Sequence, residues 1–116
     1  MGIPNHHMNK LKSLLIATLL YLGLTASAVC AADANLEAGK LLFTQGAKPA
    51  CALCHTLADA GAAGEIGPSL DELKPDEARV LKALKTGIGQ MPAFTSLTEE
   101  QMQLLASYVS QVTKAK

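Results

Sequence analysis

Cys51-Ala52-Leu53-Cys54-His55 sets two thiols and an imidazole within five consecutive positions. On a helical turn, positions i and i+3 share a face. Two thiols so placed can reach the two vinyl groups of one porphyrin and form thioethers. The next residue, His55, then falls beneath the ring, where an imidazole can bind iron. This is the C-x-x-C-H spacing of haem attachment, and it predicts one covalently held haem c. Pro49 suits the entry to such a turn. Other chemistries also use paired cysteines. A thioredoxin-like redox pair wants a preceding strand in a β-rich frame, and no useful run of alternating apolar and polar residues is found. A zinc site wants four ligands, and residues 32–116 hold no Cys or His beyond these three. A disulfide between residues three apart closes too short a loop to act as a staple.

The iron needs a second axial ligand from the far side of the ring. Two methionines lie beyond residue 31, Met91 and Met102. Met102 falls on an apolar helical stripe, which reads as core packing. Met91 lies in a loop just before Pro92, where a core role is harder to explain, although a gap-filling hydrophobe is its plain alternative. Its thioether is a soft, neutral donor that stabilises ferrous iron and raises the potential. His55 and Met91 are therefore the expected iron ligands. Leu70, Leu73, Leu84 and Phe94 are the expected apolar wall, from their loop and stripe positions.

Three helices must position these groups. The first is predicted over about 35–44, with Asp33 or Asn35 as N-cap, apolar Leu36, Leu41, Leu42 and Phe43, and Gly46 and Pro49 ending it. The second is predicted over 75–86, with Pro75 in its first turn, a Val80-Leu81-Leu84 stripe, and Gly87 just past its end. The third opens on Thr98-Glu99-Glu100-Gln101, a capping box. It continues with Met102, Leu105, Ala106, Val109 and Val112 at 3-and-4 spacing. Two turn-rich segments, 58–70 and 87–97, lie between the helices. The fold class is all-α. Asp71, Glu72, Asp76 and Glu77 read as a solvated helix start, with docking as the sharper alternative. Lys82 and Lys85 read as solvent-facing.

Residues 1–31 read as a secretory leader. Lys10 and Lys12 give a positive start, Leu14 to Leu24 an apolar run, and 25–32 a small-residue zone. The apolar run is about 11 residues, short of the ~20 that a spanning helix needs. Cleavage fits after Ala28 or after Ala31, and Ala31 is preferred. Met8 resembles a signal start better than Met1 does. An uncleaved anchor, or lipidation at Cys30, are the alternatives. His6 and His7 fall within the leader. Residues 32–116 then form one domain with eight Lys and Arg against ten Asp and Glu, a formal charge of −2. That balance excludes a nucleic-acid binder. A domain this small is marginal on its core alone. The whole chain has no Trp, two Tyr and two Phe. A haem would supply the missing interior.

Together these residues resemble the class I c-type cytochromes over nearly all of residues 32–116. Gly67-Pro68 is similar to the family's Gly-Pro segment, which implies that the Pro68 carbonyl accepts a hydrogen bond from His55. Met91-Pro92 is similar to the distal-ligand loop. Gly39 and Phe43, with Leu105 and Tyr108, resemble the residues at which the family's terminal helices approach, and Gly39 against Tyr108 is the implied contact. The runs Cys54 to Ala62, Gly67-Pro68 and Leu70 to Asp76 also resemble the small cytochrome subunit of periplasmic sulfite dehydrogenases. The resemblance implies a small cytochrome c fold around one haem, with Cys51, Cys54, His55, Pro68, Leu70 and Met91 at the cofactor.

The expected function is that of a periplasmic electron carrier, not an enzyme. It would take single electrons from a dehydrogenase and pass them to a cytochrome or oxidase acceptor, with no stable membrane insertion after leader cleavage. A tightly held haem subunit of an oxidoreductase, and an open-site haem protein that binds a gas or peroxide, are the alternatives.

Overall fold

The computed structural model describes residues 32–114. Residues 1–31, read above as a leader, lie outside them. The compact unit begins at Ala34. Helix α1 occupies 32–41 and runs on into a π-helical turn, Leu42–Gly46, closed by Ala47 N–H donating to Leu42 O at 3.0 Å. Asp33 and Asn35 were expected as caps, but both lie inside α1. Ala32, Ala34, Leu36, Glu37 and Ala38 surround them, and these strong helix formers carry the helix through.

A 3₁₀ turn, Cys51–Leu53, follows. Strands β1 (Thr56–Leu57) and β2 (Ala62–Ala63) then pair antiparallel, Thr56 with Ala63 and Leu57 with Ala62. A 3₁₀ turn, Ala58–Ala60, joins them, and Gly61 takes the left-handed conformation that reverses the chain. No strand was expected. Two residues per strand are too few to print a period-two pattern. Helix α2 (Leu70–Leu73) is a single unanticipated turn that stops at Lys74, φ +44, ahead of Pro75.

Helix α3 spans Glu77–Thr86. It starts two residues later than the proline suggested. Asp76 is its N-cap, its carboxylate accepting from Arg79 N–H at 2.7 Å. Pro75 lies outside the helix and is buried. Helix α4 spans Glu99–Lys114. The capping box at its start is reciprocal: Gln101 N–H donates to Thr98 Oγ1 at 3.2 Å, and Thr98 N–H donates to Gln101 Oε1 at 2.9 Å.

The core gathers on α4. Met102, Leu105, Ala106, Tyr108 and Val109 are buried there, with Phe43, Leu57, Leu84, Phe94 and Leu97 from the other segments. Helix α3 packs along α4, and Lys85–Glu99 and Gln103–Glu77 tie the exposed edges of the pair. Gly39 of α1 meets Tyr108. A methyl there would collide with the Tyr108 side chain and lie 2.9 Å from the Leu104 carbonyl. Phe43 meets the Tyr108 ring edge-on, centroids 6.3 Å apart. The chain is a small all-α domain, and its tiny hairpin does not alter that class.

Candidate cofactor site

The 3₁₀ turn over Cys51–Leu53 is closed by Cys54 N–H and His55 N–H, which both donate to Cys51 O, at 3.1 and 3.0 Å. This puts the two thiols and the imidazole on one short, bonded segment. The 58–70 loop lies directly against it. Gly67 N–H donates to Cys54 O at 2.7 Å. A methyl on Gly64 would sit 2.6 Å from the Cys54 carbonyl carbon, and one on Gly67 would sit 2.5 Å from His55 Cε1. Glycine at both places lets the loop approach. The next residue then meets the imidazole: His55 Nδ1 is 2.9 Å from Pro68 O. A carbonyl oxygen only accepts, so Nδ1 carries the proton and Nε2 keeps its lone pair for a metal.

Cys51 and Cys54 are not joined in a disulfide. Burial pushes the Cys51 thiol up to about 11, against a partial lowering by its backbone hydrogen bond, and the neighbouring Cys54 adds least to the rise. A redox-active cysteine pair needs the opposite, a readily ionised thiol. Among the described residues, no three His, Cys, Asp or Glu side chains converge as a metal cluster. The zinc reading therefore lacks a ligand set.

Met91 comes from the 87–97 loop and closes a tight hairpin. Ile88 and Met91 exchange both backbone hydrogen bonds, each at 3.0 Å, and Gly89 takes φ +58 at the first central position. Met102 is buried on α4 within the core.

A cavity of about 670 Å³ joins these parts. Cys51, Cys54, His55, Pro68, Leu70 and Met91 all line it, as do Leu73, Leu84 and Phe94. Met102 does not. The volume lies within the ~300–1,000 Å³ typical of cofactor and ligand sites. Phe43, Leu84, Phe94, Leu105 and Val109 belong both to the core and to the cavity wall. Among the described residues, Arg79 and Lys82 are the only Lys, Arg, Asp or Glu side chains on the wall. Ile66 and Ile88, also on the wall, are 74% and 69% exposed.

Sequence reasoning did not place Val80, Leu105 and Val109 at the site. Their helical stripes were visible, but an apolar stripe reads the same whether it faces core or cofactor. Lys82 is exposed as expected, yet it also reaches the cavity. Asp71 was read as solvated. Its carboxylate instead accepts from Ala58 N–H at 2.7 Å and ties α2 to the 3₁₀ turn after β1.

This fold and donor set define a c-type cytochrome domain. Residues 34–109 match the family described as cytochrome c oxidase, cbb3-type, subunit III, and the chain belongs to that family. Among solved structures it is similar to the c-type cytochrome SorU from Sinorhizobium meliloti, with a TM-score of 0.68 and 53% identity over 70% of this chain and 93% of that one. No curated protein matches the chain. Membership implies haem c as the cofactor and redox proteins as partners.

Proposed function

We propose that the chain is an exported carrier of single electrons, with one haem tethered through Cys51 and Cys54 and its iron held between His55 and Met91. The observation that carries this reading is the convergence of all four residues on one largely apolar cavity. When bound, the haem supplies reversible one-electron exchange at its iron. The chain supplies the rest. Two thioethers fix the cofactor's position. The Pro68 carbonyl orients the His55 imidazole and raises its basicity. The Met91 thioether favours the reduced form. Leu70, Leu73, Leu84 and Phe94 exclude water, and Arg79 and Lys82 suit a cofactor that bears carboxylates. With His55 and Met91 both holding the iron, no place would be left there for a substrate, so the protein would carry electrons without transforming one.

The leader pattern in residues 1–31 supports a periplasmic location, with 32–116 as the working domain. Among the described residues, no helix is long and apolar enough to cross a membrane. Ile66 and Ile88, exposed residues of the cavity wall, suit a small, transient docking patch. A dehydrogenase of the sulfite-oxidising kind is the proposed donor, supported by the resemblance of the runs Cys54 to Ala62, Gly67-Pro68 and Leu70 to Asp76 to the cytochrome subunit of such enzymes and by the likeness to SorU. A cytochrome or oxidase is the proposed acceptor.

The exported protein should show a Soret band, a mass increased by one haem, and no free sulfhydryl at Cys51 or Cys54. Its ferric form should show the far-red band of thioether ligation. Met91→Ala should abolish that band, lower the potential and admit imidazole to the iron. A colourless exported protein with both thiols free refutes the reading. An unchanged band in Met91→Ala removes Met91 from the iron.

A further inference from the structure

Gly87 was expected simply to end α3, a role that the left-handed helical conformation usually fills and that asparagine can share. The backbone there is different. Gly87 has φ +68 but ψ 170, a region that is essentially glycine's alone. The chain leaves α3 in a sharp reversal, and the segment carrying Met91 folds straight back over the glycine. A methyl on Gly87 would lie 2.7 Å from Met91 O, 3.0 Å from Ala93 N and 3.2 Å from the Pro92 carbonyl carbon. All three are backbone atoms, so no side-chain rotation makes room. The same corner is bonded on every side. Gly87 N–H donates to Ala83 O at 2.8 Å, Thr86 Oγ1 donates to Gly87 O at 3.0 Å, and Phe94 N–H donates to Leu84 O at 2.8 Å. The Ile88–Met91 hairpin closes the loop.

We infer that Gly87 is a positioning residue for the distal iron ligand, setting how firmly Met91 is presented to the cofactor cavity. The inference rests on the proposed ligation by Met91. Any side chain at 87 must push the Met91–Ala93 backbone away from the end of α3, and the Met91 side chain moves with it. Gly89 is the built-in contrast. Its φ is also positive, at +58, but a methyl there meets nothing within 4 Å. A residue at 89 therefore costs conformation only, and Asn tolerates that conformation.

The test compares the haem-loaded wild type with Gly87→Ala and Gly89→Asn. In Gly87→Ala the far-red ferric band should fade while the Soret band and the helical circular dichroism persist. The apparent affinity for imidazole should rise roughly tenfold or more, because a competing ligand gains in proportion to the fraction of protein whose iron is released. Gly89→Asn should keep the wild-type band and imidazole affinity. If the wild type lacks the band, ligation by Met91 itself is wrong. If the wild type has it and Gly87→Ala keeps both band and affinity, the role of Gly87 is wrong. Should Gly87→Ala not accumulate, one glycine inserted after Gly89 loosens the hairpin without touching Gly87. Weakened Met91 ligation is then expected, and an unchanged band overturns the inference.

Discussion

Tyr108 shows how much one buried hydroxyl can organise. The residue is 1% exposed, and its hydroxyl donates to Asp59 Oδ2 at 2.6 Å. Asp59 also pairs with Lys40 at 3.5 Å, so a single carboxylate ties α4 and α1 to the turn that follows β1. Burial first, and then the Asp59 carboxylate, raise the Tyr108 hydroxyl far above its usual range. The sign follows directly. Below the free tyrosine value of ~10 the hydroxyl is neutral in both states, and the contribution is fully present. Above it the unfolded chain ionises while the folded one resists, and stability declines as pH climbs toward the folded value. Tyr108→Phe should cost about 1.5–3 kcal/mol near neutrality, the usual worth of a hydrogen bond to a charged group. It should also flatten the alkaline decline. Urea midpoints from pH 7 to 11 measure both, and an equal decline in the variant contradicts the assignment. Nothing in the sequence around Asp59 pointed to this bond, because its partner lies 49 positions away.

Helix starts depend on the most local of signals, yet only the one at Thr98 forms as expected. The box at Thr98 needs only residues three apart, and it forms as read. Thr98→Ala should destabilise by about 1 kcal/mol, seen as a lower urea midpoint with an unchanged slope. The start of α3 was misplaced for an equally local reason: Asp76 caps the helix by accepting the Arg79 amide, which leaves Pro75 outside the first turn where it was expected. Gly39 works between elements. Gly39→Ala drives a methyl into Tyr108 and toward the Leu104 carbonyl. Overpacking of this kind costs about 1–3 kcal/mol. The loss should appear in the unfolding midpoint with the Soret band intact, and a neutral effect would mean that α1 and α4 approach less closely than described. The resemblance implied this contact, and the fold contains it. The β1–β2 hairpin and α2 were not legible, since each is too short to carry a periodic signal.

At the scale of the molecule, the interior and the cofactor wall are one surface. Phe43, Leu84, Phe94, Leu105 and Val109 serve both. On the proposal that residues 1–31 direct export to the place of haem attachment, a chain made without them, and so without haem, should keep some helix but lose fixed packing, bind a hydrophobic dye and lack near-ultraviolet circular dichroism. A sharply cooperative, colourless protein would argue against the porphyrin as core. The sequence alone determined what short-range spacing can encode: two thiols and an imidazole on one turn, the capping box, the apolar stripes, and a loop methionine ahead of proline. Tertiary structure alone decided which stripe residues face the cavity, which carboxylate meets Tyr108, and why residue 87 must be glycine. Those outcomes depend on which distant backbone segments come to lie against one another, and spacing along a chain carries no measure of that approach.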